Sequence, residues 1–259
     1  MDFKLENKVA LITGGSKGIG LESALCLAKE GAKVAICARN KDRLEEAKSY
    51  IQKHTKANVH IIIADVTDKS ECIKAVEETV GNFGTIDILV NNAGTSQAHA
   101  FEEVENELWE DDLDLKLFGA INCSKAAIPY MKENEQGSII NVTAALGKTP
   151  PKSSLPTSVS RAAGMALTKA MSKDLGEYNI RVNTVCIGLI RSEQLEKRWK
   201  NENPELSWEE YSKIDRSIPL GRIGNTEEAA NVITFLSSSA ASYVSGASVN
   251  IDGGFIGTL

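Results

Sequence analysis

Seven short runs rich in β-branched residues recur along the chain: Val9–Thr13, Lys33–Ala38, Val59–Ala64, Ile86–Asn91, Ser138–Val142, Arg181–Cys186 and Ala247–Asn250. Helical patterns such as Glu22–Lys29, Lys41–Gln52 and Ser70–Asn82 separate them, with apolar residues at three- and four-residue spacing. Several runs are apolar almost throughout, which suits strands covered on both faces. Parallel strands need a crossover between them, and a helix is the usual one. The alternation therefore predicts a doubly wound α/β fold: a mostly parallel seven-stranded sheet flanked by helices. At 259 residues the chain suits one such domain spanning residues 1–259. The least regular stretch, 191–219, carries Trp199, Trp208 and Tyr211 among many charges and interrupts the alternation before the last helix and strand. It reads either as a surface helical insertion or as a lid over a substrate.

The first strand runs directly into Thr13-Gly14-Gly15-Ser16-Lys17-Gly18-Ile19-Gly20, and a helix follows at once. Glycines let the backbone turn sharply and approach a pyrophosphate closely, and the helix start offers free N–H groups and partial positive charge. Gly14, Ser16, Lys17, Gly18, Ile19 and Gly20 are thus candidate dinucleotide-binding residues. An NAD-specific fold usually carries a carboxylate at the end of the second strand, for the ribose 2′-hydroxyl. Here that end reads Ile36-Cys37-Ala38-Arg39, with Lys17 in the glycine loop. Arg39 and Lys17 favour a 2′-phosphate, so the expected cofactor is NADP(H).

With 29 Lys and Arg against 35 Asp and Glu, the net charge of −6 gives no electrostatic reason to bind nucleic acid or an anionic membrane. No apolar stretch has the length of a membrane helix, and the polar start does not read as a signal peptide, so the expected location is the cytoplasm. The five cysteines, Cys26, Cys37, Cys72, Cys123 and Cys186, stand far apart in apolar surroundings and read as reduced, buried thiols. Three histidines in all make a histidine-based metal site an unattractive reading, and no metal is expected.

Taken in order, several further motifs resemble the short-chain dehydrogenases/reductases over nearly the whole chain. They are the Thr13–Gly20 loop, Asp65-Val66, Asn91-Asn92-Ala93-Gly94, Gly137-Ser138-Ile139-Ile140-Asn141-Val142, Ile180-Arg181-Val182-Asn183, Pro219-Leu220-Gly221-Arg222 and Ser245-Gly246 followed by Asp252-Gly253-Gly254. The resemblance implies cofactor contacts from Asp65, Val66, Asn91, Ala93, Gly94, Arg161 and Gly188. It also implies a homo-oligomer, a tetramer or dimer built on long helices, here Leu108–Met131 and Thr157–Tyr178.

The resemblance breaks where the family places its chemistry. Members that move a hydride use Ser, Tyr, Lys and Asn. At the matching positions stand Ala144 for the serine (with Thr143 beside it), Thr157 for the tyrosine, Arg161 for the lysine and Lys116 for the asparagine. A threonine hydroxyl is shorter than a phenol and a poorer acid, whereas an arginine keeps donors and charge for ribose hydroxyls. Three readings stand: an NADP(H)-dependent oxidoreductase of a small carbonyl or hydroxyl compound with a rearranged acid, a lyase or hydratase on the same scaffold, and a non-catalytic nucleotide-binding or partner subunit. For the first, Lys116, Thr143, Ser153, Ser154 and His99 are the polar candidates, Lys116 foremost because it interrupts an apolar helical stretch.

Overall fold

In the computed structural model, which describes residues 2–215 and 217–258, the alternation folds as a doubly wound α/β domain. In chain order the elements are β1 (Val9–Thr13), α1 (Gly18–Lys29), β2 (Lys33–Ala38), α2 (Lys41–His54), β3 (Val59–Ile63), α3 (Lys69–Phe83) and β4 (Ile88–Asn91). There follow β5 (Ala98–His99), α4 (Asn106–Leu113), α5 (Gly119–Glu133), β6 (Gly137–Ala144), β7 (Leu155–Pro156) and α6 (Thr157–Asp174). The chain closes with β8 (Ile180–Ile187), α7 (Glu193–Glu202), α8 (Trp208–Ser212), α9 (Thr226–Ser237) and β9 (Ser248–Ile251). The main sheet has seven strands in the order β3-β2-β1-β4-β6-β8-β9, all paired in parallel.

Local chemistry sets the element ends. Asn40 caps α2 by accepting from the Arg43 N–H at 2.9 Å, and Asp68 caps α3 through Ser70 and Glu71. Gly84 ends α3 in the left-handed region at φ 89°. Successive strand residues feed opposite cores. Ala10 and Ile12 join α1, α2 and α9 on one face, while Leu11 joins α3 and α5 on the other.

Two features, besides shifts at strand ends, depart from the sequence expectation. The helix expected over Leu108–Met131 is interrupted by a π-helical turn at Asp114–Phe118, so α4 and α5 are joined rather than continuous. A small antiparallel pair, β5 with β7, was not anticipated, because two-residue strands leave no periodic signal. The stretch 191–219 folds as α7 and α8 around a satellite core of Tyr211, Ile218 and Ile223, with Trp199 and Trp208 packed against it. Strand ends shift by a residue or two, as at β4, which starts at Ile88 rather than Ile86.

Candidate functional site

Strand order reverses between β1 and β4, and the crevice beyond their C-terminal ends is where such sheets bind ligands. The glycine loop forms its floor. Gly14 and Gly18 sit at φ 63° and 57°, and a Cβ on Gly20 would collide with the Gly14 carbonyl oxygen. Asn92, which belongs to the Asn91–Gly94 motif but is not among the expected cofactor contacts, staples this loop by donating from Nδ2 to the carbonyls of Thr13 (2.9 Å) and Gly14 (3.2 Å). The Thr13 hydroxyl accepts from the N–H groups of Asn92 and Ala93, binding the β1 and β4 ends together.

Around the end of β2 the cations cluster. Arg39 lies 3.6 Å from Asp65, whose carboxylate also accepts from Thr67. Lys17 donates to Glu193 at the start of α7, and Arg43 lies 3.7 Å from the same carboxylate. The Lys17 ammonium, with Lys197, holds the Glu193 carboxyl down at about 2. Neither Arg43 nor Glu193 was singled out from sequence. Both sit in charged helical surfaces, where nothing in the pattern distinguishes them.

At the other end of the crevice, Lys116, Thr157 and Arg161 come together. Lys116 Nζ donates to Thr157 Oγ1 at 2.7 Å and to Asp112 Oδ1, and the Lys116 and Asp112 side chains are each 1% exposed. Ser160 donates to the second Asp112 oxygen at 2.6 Å. Burial, reinforced by the Arg161 charge, pulls the Lys116 amine down to about 8. Thr157 Oγ1 also accepts from the Gln97 N–H at 2.8 Å. A hydroxyl has two acceptor sites and one proton. Both acceptor sites are taken, so the Thr157 proton is free to be given, and its only acceptor among the described residues is Asp112, at a long 3.5 Å.

Arg161 donates from Nη1 to the Val142 carbonyl at 2.7 Å, while its buried Nε has no partner. Burial pulls its guanidinium down to about 10. A side chain on Gly94 would meet Arg161 Nη2 at 2.7 Å, so the glycine keeps this approach open. The bare glycine floor and the orphaned Nε fit a dinucleotide lying from the β2 end to Arg161. Val66, Asn91, Ala93 and Lys116 line one small cavity.

Other candidates fall elsewhere. Thr143 gives its hydroxyl to the Val185 carbonyl and the Cys186 thiol, facing β8 rather than Thr157. Ala144 offers no hydrogen-bonding side chain. Ser154 donates to the Pro151 carbonyl in its loop and to Ser158 in the first turn of α6, and Ser153 occupies a left-handed turn at φ 56°. His99 contacts Gln97 at 3.4 Å. Gly188 permits close packing, since a Cβ there would meet Asp252 Cβ at 2.5 Å. All five cysteines are buried and free. Among the described residues, no helix is long and apolar enough to cross a membrane, and no group of His, Cys, Asp and Glu could hold a metal ion.

Comparison with known proteins gives the family. Residues 8–203 match the short chain dehydrogenase family. The chain is 36% identical to the 3-oxoacyl-[acyl-carrier-protein] reductase of Thermotoga maritima, over 98% of this chain and 100% of that protein. A short chain oxidoreductase from Pseudomonas aeruginosa PAO1, described as containing an atypical catalytic center and solved with NADPH, superposes with a TM-score of 0.92 at 32% identity, over 98% of this chain and 100% of that one. L-Sorbose reductase from Gluconobacter frateurii, solved with NADPH and L-sorbose, superposes with a TM-score of 0.94 at 33% identity over 100% of both chains. The chain belongs to the short-chain dehydrogenases/reductases.

Proposed function

We propose that this oxidoreductase uses NADP(H) to interconvert a small carbonyl and its alcohol, with the proton delivered by Lys116 through Thr157 instead of by a phenol. The observation that carries it is the 2.7 Å contact of Lys116 Nζ with a Thr157 hydroxyl whose own proton has only a long 3.5 Å contact, to Asp112. NADP(H) is supported by Lys17, Arg39 and Arg43 around the end of β2, and by two structural neighbours solved with NADPH. The glycine loop would hold the pyrophosphate, the β2-end cations the 2′-phosphate, and Arg161 the nicotinamide ribose.

When bound, the reduced nicotinamide supplies the hydride. The chain's own task is the proton. As the substrate oxygen gains charge, it takes the Thr157 hydroxyl proton, and Lys116 replaces that proton along their hydrogen bond. Lys116 ends neutral, a form its lowered pKa makes accessible near neutral pH. Asp112, fixed by Ser160, orients the amine through both half-reactions. With Ala144 in place of a serine, Thr157 would also be the hydroxyl offered to the substrate oxygen. The helices α7 and α8 form the lid on the substrate side.

NADPH oxidation against a panel of small ketones and quinones tests this. Lys116→Met and Thr157→Val should each lower kcat by about 10²–10⁴-fold, with calorimetric NADPH affinity held within a few-fold. Brisk reduction untouched by both substitutions would place the chemistry elsewhere.

One observation favours a second reading, binding without turnover: the Lys116 side chain is 1% exposed and pinned by Asp112. In that case the unmodified protein is inactive. Ala144→Ser, Thr157→Tyr, Arg161→Lys and Lys116→Asn together should then create ketone reduction, which Thr157→Tyr alone should not.

A further inference from the structure

Glu193 opens α7, yet its carboxylate belongs spatially to the nucleotide half. Oε2 accepts from Lys17 of the glycine loop and lies 3.7 Å from Arg43 Nη1 in the first turn of α2. Oε1 lies 3.3 Å from Lys197, one turn along α7. Among the described residues, neither Lys17 nor Arg43 forms another ion pair. Two cations from separate elements thus meet at one anion beside the end of β2, where a ribose 2′-phosphate belongs in this type of fold. The anion they hold is a carboxylate of the protein itself, carried on the helix that begins the 191–219 excursion.

We propose that Glu193 is a built-in competitor for the 2′-phosphate, tying α7 to Lys17 and Arg43 in the free protein and giving way when NADP(H) binds. The inference rests on the NADP(H) reading above. Two anions cannot both sit against the same pair of cations without repulsion, so phosphate entry and the Glu193 contact oppose each other. The Lys17 and Glu193 side chains are 56% and 37% exposed, so the tie is a weak surface contact that a doubly charged phosphate can displace. NAD(H) carries only an uncharged 2′-hydroxyl at that position and leaves the tie in place. Glu193 therefore tunes cofactor choice, and it couples the phosphate, rather than the nicotinamide, to the freedom of α7.

The test combines calorimetry with hydrogen exchange over residues 193–202. Glu193→Gln keeps the side chain's size and removes its charge, and should tighten NADPH binding by about three- to tenfold. NADH affinity should stay within about twofold. In the unmodified protein, adenosine 2′,5′-bisphosphate should speed exchange in α7, and adenosine 5′-monophosphate should not. This arm needs no variant and stands even if the substitution perturbs folding. NADPH affinity unchanged or weakened in Glu193→Gln, or an α7 that responds alike to the two adenosine nucleotides, would overturn the proposal. If NADPH and NADH bind the unmodified protein equally, the cofactor reading falls and this inference with it. Preferential NADPH binding with an unresponsive α7 removes the competitor alone.

Discussion

Lys116 and Asp112 form an ion pair with almost no exposure, and such pairs are asymmetric in their energetics. Removing one partner strands a buried charge at a cost of about 3–5 kcal/mol, whereas removing both is often close to neutral. Lys116→Met should therefore destabilise the fold strongly in urea denaturation. Asp112→Asn added to it should recover most of the loss, a coupling read directly from the double-mutant cycle. The pH dependence has a defined sign. The Lys116 amine titrates near 8 in the folded protein, below its ordinary value of 10.5. Between those values the unfolded chain binds the proton and the folded chain does not, so this group makes stability rise with pH across that window. Comparing urea midpoints of the unmodified protein and the double variant from pH 8 to 10 should show that slope only in the former. For the proposed turnover the sign reverses: with the ammonium as the acid, carbonyl reduction should fall as pH rises through about 8. Lys116, Thr157 and Arg161 were legible because each replaces a residue that the motif series leads one to expect. Asp112 was not, because in Glu110-Asp111-Asp112-Leu113-Asp114 it looks like one more solvated acid, although its (i, i+4) spacing to Lys116 was in plain view. Thr143 shows the converse. Its place beside Ala144 suggested the site, but its hydroxyl is committed to the Val185 carbonyl across the sheet.

At the scale of elements, parallel strands and their crossover helices were readable because buried β-branched runs and helical periodicity are strong signals over five to fifteen residues. The π-helical turn at Asp114–Phe118 was not, since it changes the hydrogen-bond pattern without changing composition. The excursion holding α7 and α8 was seen as irregular, and its aromatic residues explain how it holds together. Trp199 and Trp208 meet edge-on at 5.7 Å, Tyr211 packs beside both, and Arg191 stacks 4.7 Å over Trp208. This cluster is separate from the two main cores, so it should loosen without unfolding the sheet. Trp199→Ala should thus speed proteolytic cleavage within 193–212 severalfold and leave the global urea midpoint nearly unchanged. A parallel drop in the global midpoint would show that the excursion and the sheet unfold as one unit.

For the whole molecule, what remains exposed bears on assembly. Phe118, between α4 and α5, is 49% exposed, and Val159 on α6 is 45% exposed. Large apolar side chains scattered singly need no explanation. These two lie within Leu108–Met131 and Thr157–Tyr178, the long helical segments on which the family resemblance implies a symmetric homo-oligomer. A twofold axis passing between such helices brings each patch onto its own copy, so one substitution is counted twice across the interface. Phe118→Asp combined with Val159→Lys places charges there without touching Asp112, Lys116 or Thr157. Light scattering at micromolar concentration should give a multiple of the chain mass for the unmodified protein, with a tetramer the expected state, and a smaller species for the double variant. NADPH binding by the smaller species should persist, because the glycine loop, the β2-end cations and Arg161 all come from one chain. A monomer mass for the unmodified protein would remove the oligomer. An unchanged mass in the double variant would move the interface to another surface, such as that around Leu220 or that around Tyr243, which are 73% and 104% exposed.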